Sequence, residues 1–320
     1  MEEINVNEIE NIEIGHAHNK KALTGCSVAL FKKGAVAGVD IRGGAPGSRE
    51  TALLNPNKLV EKIHAIVLAG GSAYGLDAAS GVMKYLEEND IGFDTGAAKV
   101  PIVTSAILYD LDIGDPKIRP DQKMGYNACI NASNKKFESG NIGVGLGATV
   151  GKIAGVEKMM KGGLGSAAYQ IGDLKVGAIV AVNSLGDIIN PQNGEIIAGA
   201  LNKDSKSFLG TENFLYENYD KDHDFFKGNT SLGIVFTNAK LNKVEANKLA
   251  VKAHNGYAQT MSPAHTDFDG DSIFAVSSAN IDADFNVISI LAIKAIKNAV
   301  IDAVKSAKGF KGIKAYRDFK

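Results

Sequence analysis

The apolar positions of this chain come in short blocks separated by glycine-rich or polar breaks. Their spacing alternates between the period of a strand and that of a helix. Apolar runs at residues 12–14, 26–31 and 35–41 predict strands, with Lys32-Lys33-Gly34 as a hairpin turn between the last two. Residues 43–50, GGAPGSRE, are a loop of breakers. AIVLA at 65–69 predicts a buried strand that runs through Gly70-Gly71 into a helix. That helix would group Leu76, Ala79, Val82, Met83 and Leu86 and end at Asn89-Asp90. Residues 100–111 predict a strand broken by Pro101, and residues 120–133 a second helix. VGAIVAVN at 176–183 predicts a central strand that turns at Ser184-Leu185-Gly186-Asp187.

The last third opens with a long polar segment, 202–228, followed without a gap by the apolar run SLGIVFTNA at 231–239. A structureless loop of that length is uncommon inside a compact domain and is usually functional or disordered. Asn242, with Glu245 three residues on, predicts a capped helix with Val244, Leu249, Ala253 and Tyr257 in register. An acidic turn at 267–271 and a strand at 272–276 follow. The final helix, 287–305, has Lys294, Asn298, Asp302 and Lys305 as a narrow polar stripe, so most of its surface is expected inside. Strands and helices interleave without a regular βαβ beat and without a fixed-period repeat. The expectation is α+β or a layered α/β/α arrangement, not a doubly wound parallel sheet.

Composition narrows the function classes. With 320 residues and 45% hydrophobic content, the chain can bury the core of one large domain or two intimately packed ones. A formal net charge of −1, with no block of five like charges, argues against nucleic-acid or acidic-membrane partners. No run approaches the roughly 18 apolar residues of a membrane span. The acidic N-terminus lacks an apolar signal-peptide core, so the expectation is a cytoplasmic protein. Cys26 and Cys129 lack metal-type spacing and read as reduced core cysteines. Glycine is the outlier: 36 residues, densest at 139–175, imply close backbone approaches there.

Familiar catalytic patterns fail one after another. Gly143-Val144-Gly145-Leu146-Gly147-Ala148 is a loose relative of the dinucleotide fingerprint but lacks a strand–turn–helix setting. Gly151-Lys152 ends like a phosphate loop, yet Ile153 stands where Ser or Thr belongs. On spacing alone Lys152 reads as a solvated surface lysine, at the end of a loop whose backbone can approach a site. Gly70-Gly71-Ser72-Ala73-Tyr74-Gly75 misses the nucleophile elbow, because Tyr74 occupies the second glycine position. Residues 267–272, DFDGDS, begin like a calcium loop but place glycine fourth and Ser278 twelfth. The six histidines show no ligand spacing, so neither a metal nor a cofactor is expected. Crowded carboxylates on the turn before a buried strand still mark a candidate site. Thr230 remains, at the mouth of a core strand after an accessible loop. That is where a chain able to cut itself would expose a new N-terminal nucleophile.

Several segments together carry a resemblance: Gly70-Gly71-Ser72-Ala73-Tyr74-Gly75-Leu76-Asp77-Ala78-Ala79, Val100-Pro101-Ile102-Val103, residues 143–152, Gly228-Asn229-Thr230-Ser231-Leu232 and Thr237-Asn238-Ala239. Across essentially the whole chain the sequence resembles the self-processing L-aminopeptidase/D-esterase family, which includes β-aminopeptidases and nylon-oligomer (6-aminohexanoate oligomer) hydrolases. Asn-Thr at the cleavage point looks like the nylon-oligomer branch. The resemblance implies an α+β, four-layer αββα sandwich similar to N-terminal nucleophile hydrolases. It implies a single catalytic domain, 1–320, that cleaves itself between Asn229 and Thr230 into chains 1–229 and 230–320, and assembly as a homo-oligomer, commonly a tetramer. By motif, Thr230 is the nucleophile; Asp269 and Asp271 orient its amine and hydroxyl, and Lys152 supports these carboxylates. Asn183, less firmly with Tyr109, is the oxyanion donor. The implied activity is hydrolysis of small amides, either 6-aminohexanoate oligomers or N-terminal residues of peptides. A β-aminopeptidase or L-aminopeptidase/D-esterase proper, an ornithine-acetyltransferase-like acyltransferase, and a non-enzymatic binding module are the alternatives.

Overall fold

The computed structural model describes residues 1–220 and 228–319. The strands that position the site are β1 (Glu13–Asn19), β2 (Thr24–Ile41), β3 (Ile63–Ala69), β4 (Val103–Ile107), β5 (Gly163–Ile171), β6 (Leu174–Val182), β7 (Leu232–Ala239) and β8 (Ser272–Ile281). The helices are α1 (Ala78–Glu88), α2 (Gln122–Ile130), α3 (Thr211–Glu217), α4 (Lys243–Ala258) and α5 (Phe285–Ser306).

β2 organises the strands into two layers. Its first half pairs with β1 and β3, and β3 pairs in parallel with β4. Its second half pairs with β8, which continues through β7, β6 and β5. The alternation of side chains shows which faces meet. Ile66 and Leu68 of β3 pack with Ile179, Ala181, Ile234, Phe236 and Phe274 of the second sheet, between the two layers. The intervening Ala65, Val67 and Ala69 pack under α1 and α2. On the second sheet Val176, Ala178, Val180, Val182 and Val235 point the other way, under α4 and α5. The order is therefore helices, sheet, sheet, helices: the four-layer αββα sandwich. The three-layer α/β/α arrangement left open by the hydrophobic pattern is not formed, because β strands with two apolar faces bury one face on each other and one on helices.

Four local expectations change. Lys32-Lys33-Gly34 is no hairpin turn: β2 is continuous, and the three residues form an irregularity between Leu30 and Ala35, with Gly34 at φ +69°. Each half of β2 finds partners in a different sheet, so it has no reason to fold back. Residues 100–111 hold a short strand at Val103–Ile107, and Val100 belongs to a separate two-residue strand, Lys99–Val100. Within the polar segment 202–228, residues 211–217 form α3; residues 221–227 of that segment lie outside the described residues. Val244 is 46% exposed, whereas Leu249, Ala253 and Tyr257 are buried as the register predicts. The cap of α4 forms as expected, with Asn242 Oδ1 accepting from Glu245 N and the Glu245 carboxylate accepting from Asn242 N. The buried face of α5 covers residues 288–304, although Ile290 is 65% exposed beside the polar stripe.

Candidate active site

Strand pairing alone brings distant residues to Thr230. β7 and β8 are parallel neighbours, with Leu232 opposite Ser272, so the residues just before each strand lie side by side. Asn229 bridges to Asp269 in the same parallel sense. β6 is antiparallel to β7, with Ala181 opposite Leu232, so the residue after β6 reaches the residues before β7. Accordingly Thr230 N donates to Asn183 O at 2.9 Å. The candidate residues Thr230, Asn183, Asp269 and Asp271 thus meet at one end of three adjacent strands, all buried.

The peptide bond between Asn229 and Thr230 is held on both sides. Gly270 N donates to Asn229 O at 2.9 Å, and the Thr230 hydroxyl donates to the same carbonyl oxygen. A side chain at position 270 would collide: a Cβ there would lie 2.5 Å from Ala45 O and 2.8 Å from Thr230 Oγ1. Gly270 is a site residue that motif reasoning passed over, and its signal was the glycine inside the acidic turn. The Asn229 amide side chain is fully buried, and neither its Oδ1 nor its Nδ2 has a hydrogen-bond partner among the described residues.

The two aspartates are satisfied by backbone, hydroxyl and imidazole donors. Asp269 accepts from Thr266 N at 3.0 Å, Thr266 Oγ1 at 2.5 Å and Leu185 N at 3.3 Å. Burial, followed by the neighbouring Asp271, pushes its pKa up to about 6. Asp271 accepts from Ser231 N at 2.7 Å and from His265 Nδ1 at 2.8 Å. His265 therefore belongs to the site too, though no ligand-type spacing marked it.

Lys152 is not a surface residue; only 8% of it is exposed. Its Nζ donates to Asn183 Oδ1 at 2.7 Å and lies 3.5 Å from Asn183 O, the same oxygen that receives the Thr230 amide. Burial lowers its pKa to about 7, against the opposing pull of Asp269, Asp112 and Asp110. The Asn183 side chain is fully engaged in orientation: Oδ1 also accepts from Thr149 N at 3.1 Å, and Nδ2 donates to Tyr109 O at 3.2 Å. The contact to the Asn229 carbonyl is made by the Gly270 amide, and Asn183 makes no such contact. Tyr109 packs its ring against Gly228, and its hydroxyl donates to Asp112 at 3.0 Å, away from Thr230. A narrow pocket lined by Tyr109, Asp112, Ile113, Lys152, Val156 and Met159 opens beside Gly228. The roomier clefts along the N-terminal segment, bordered by Glu3, Asn5 and Asn298, contain none of the candidate residues. Among the described residues no cluster of three or more His, Cys, Asp or Glu is placed to hold a metal ion. Nor is any helix long and apolar enough to cross a membrane.

Comparisons with known proteins identify the family and the fold. The profile of peptidase family S58 matches residues 5–317. An uncharacterized aminopeptidase of Mycobacterium leprae is 37% identical over 309 residues, spanning 87% of this chain and 79% of the relative. A 6-aminohexanoate-oligomer endohydrolase of Kocuria sp. is 32% identical over 283 residues, spanning 86% of this chain and 75% of the relative. Two solved structures share the fold, each at 16% identity and covering 97% of this chain and 89% of the other. They are a β-aminopeptidase of Burkholderia sp. with a TM-score of 0.71, and the L-aminopeptidase D-Ala-esterase/amidase of Ochrobactrum anthropi with a TM-score of 0.69, titled as a variant of the Ntn hydrolase fold. The chain belongs to peptidase family S58, a family of amide-bond hydrolases, and shares the fold of these aminopeptidases.

Proposed function

We propose that the chain cleaves itself between Asn229 and Thr230 and that the mature enzyme uses the new N-terminal threonine to hydrolyse small amides. The observation that carries this reading is the Asn229 carbonyl, held between the Gly270 amide at 2.9 Å and the Thr230 hydroxyl. An N–H already aimed at a carbonyl oxygen stabilises the negative charge that develops there on attack, and one such donor is typically worth about 3–4 kcal/mol.

The first reaction is an N→O acyl shift. Thr230 Oγ1 bonds to the Asn229 carbonyl carbon, the C–N bond breaks, and the hydroxyl proton leaves through a base to the departing amine. Lys152, whose pKa of about 7 leaves much of it neutral near pH 7, supports the role of that base. Water then hydrolyses the ester, giving an Asn229 carboxylate and restoring the Thr230 hydroxyl. Separation of the Asn229 end also relieves its buried, unpaired amide, a group that costs about 1–3 kcal/mol. In the mature enzyme the Thr230 α-amine has a reference pKa of about 7.7–8.0 and can itself accept the hydroxyl proton. Asp269 and Asp271 orient that amine, and Asn183 fixes Lys152. Peptidase family S58 and the likeness to a 6-aminohexanoate-oligomer endohydrolase and to an aminopeptidase support small amides as substrates, either 6-aminohexanoate oligomers or the N-terminal residue of a peptide.

Cleavage would leave chains 1–229 and 230–320 as one catalytic domain, since β7 lies between β6 of the first and β8 of the second. A homo-oligomer, a tetramer in particular, and a cytoplasmic setting complete the proposal; the free, buried Cys26 and Cys129 suit a reducing compartment. The test is intact mass of the purified chain and of Thr230→Ala, with alanine p-nitroanilide, a β-alanyl amide and a 6-aminohexanoate dimer as substrates. The expected result is two fragments and turnover for the wild type, and one silent chain for Thr230→Ala. A wild type that stays whole, or an active Thr230→Ala, overturns the reading. Acyl transfer to ornithine without net hydrolysis would instead indicate an acyltransferase.

A further inference from the structure

We infer that His265 is a positioning residue for the nucleophile, acting through Asp271 and anchored by His254; the inference rests on the proposed role of Thr230. Asp271 sits directly behind the nucleophile. Its Oδ1 fixes the amide of Ser231, the residue after Thr230, and its Oδ2 faces His265, accepting from Nδ1 at 2.8 Å and from the backbone N at 3.3 Å. His265 thus supplies both donors to one oxygen of a buried carboxylate. It does so from a left-handed backbone conformation, φ +59°, which a residue other than glycine adopts at a cost.

The ring of His265 is held in place from behind. Its centroid lies 4.8 Å from that of His254, edge to face, and 6.1 Å from that of Tyr257. His254 is fully buried on α4, and its Nε2 faces Asp40 O at 3.2 Å near the end of β2. A ring nitrogen facing a carbonyl carries the proton, and burial lowers the pKa of His254 to about 4, so this imidazole is neutral with its hydrogen on Nε2. By the same reasoning the Nδ1 of His265, facing a carboxylate, carries a hydrogen. A chain of contacts therefore runs from the main chain of Asp40 through two imidazoles to Asp271 and on to the amide after Thr230. Neither histidine touches Thr230 itself, and the Proposed function uses neither.

The tautomer gives a selective test. The carboxamide nitrogen of asparagine branches from Cγ as Nδ1 does and can donate to Asp271, and asparagine tolerates the left-handed conformation. Glutamine reaches instead toward the position of Nε2, and alanine donates nothing. We expect His265→Asn to cleave at Asn229–Thr230 within about threefold of the wild-type rate. His265→Ala and His265→Gln should be slowed at least about tenfold, with kcat of any cleaved enzyme falling more than KM rises. Should His265→Ala fail to fold, the Asn and Gln pair decides alone. Equal rates for Asn and Gln, or a wild-type rate for Ala, overturn the inference. The control is Thr230→Ala in the same assay. If that variant is also processed, the reading beneath falls; if it is blocked while His265→Gln runs at the wild-type rate, only the role of His265 falls.

Discussion

The turn at residues 265–271 and the glycine-rich segment at 143–161 both carry charge into the same buried region, and they accommodate it in opposite ways. The turn brings carboxylates, and it surrounds them with N–H and O–H donors from Thr266, Leu185, Ser231 and His265. The glycine-rich segment brings two lysines, and it surrounds them with carbonyl oxygens. Lys152 donates to the Asn183 amide oxygen, and Lys161 to Leu146 O at 2.8 Å and Ala148 O at 2.7 Å. Among the described residues no ion pair joins either lysine to Asp269 or Asp271. Fixed dipoles thus solvate each charge without neutralising it, so groups that share a site keep separate proton affinities. Burial pushes Asp269 up to about 6 and Lys152 down to about 7, so the carboxylate and the ammonium are drawn toward neutral pH from opposite sides.

The sharpest way to break the acidic side of this comparison leaves both carboxylates in place. Gly270→Ala adds one methyl that would lie 2.8 Å from Thr230 Oγ1 and 2.5 Å from Ala45 O. The turn has to shift, taking the Gly270 amide off the Asn229 carbonyl. Loss of one oxyanion donor is typically worth about a hundredfold or more in rate. The purified variant should therefore remain a single chain by mass when the wild type is fully cut; prompt cleavage would show that this amide is dispensable.

On the basic side, Lys152→Met should slow cleavage by about a hundredfold, the usual worth of a positioned proton acceptor. The pH dependence sharpens the point. Burial lowers the lysine pKa, so its neutral, accepting form grows as pH rises and is largely complete above about 7. The wild-type cleavage rate should climb by roughly tenfold per unit below that value and level off above it. In Lys152→Arg, which stays charged, the rise near 7 should vanish. A flat wild-type profile from pH 5 to 8, measured by fragment accumulation, would remove Lys152 as the base.

How much of this was legible in the sequence follows from how each residue reaches the site. Thr230, Asn183 and the Asp269–Asp271 turn flank apolar runs, and strand ends are easy to find, so the hydrophobic pattern put them at the edge of the core. Lys152 was legible as a motif remnant and misplaced at the surface, because its burial depends on the glycine-rich segment folding back along Leu185. Gly270 showed only as the glycine inside the acidic turn, and His265 left no spacing signal at all. Their roles come from a backbone amide and from a ring aimed by a left-handed residue, and neither property is written in residue type. The two-sheet architecture followed from the resemblance, while the hydrophobic pattern alone hides it for a related reason. β2 serves both sheets, and a break of Lys-Lys-Gly looks the same in sequence whether the chain turns back or continues with an irregularity.

Lys161 separates burial from chemistry. Like Lys152 it is buried on the same segment with its pKa lowered to about 7 by burial, although of the three aspartates that oppose the shift at Lys152 only Asp110 acts on it. Its partners differ, being two main-chain carbonyls of the segment that carries Lys152, and none of them touches Thr230. Lys161→Met leaves Leu146 O and Ala148 O without their donor and takes the nearby cation from the buried Asp110, whose own donors are Thr24 Oγ1 and Gly71 N. Losing a charged donor to buried groups typically costs about 1–3 kcal/mol, partly offset here because an amine no longer has to be desolvated. The thermal midpoint should fall by a few degrees, while cleavage measured well below it stays within about threefold of wild type. A hundredfold loss of cleavage at an unchanged midpoint would put Lys161 beside Lys152 in the chemistry, and the distinction between a lysine that aims the segment and one that moves a proton would be lost.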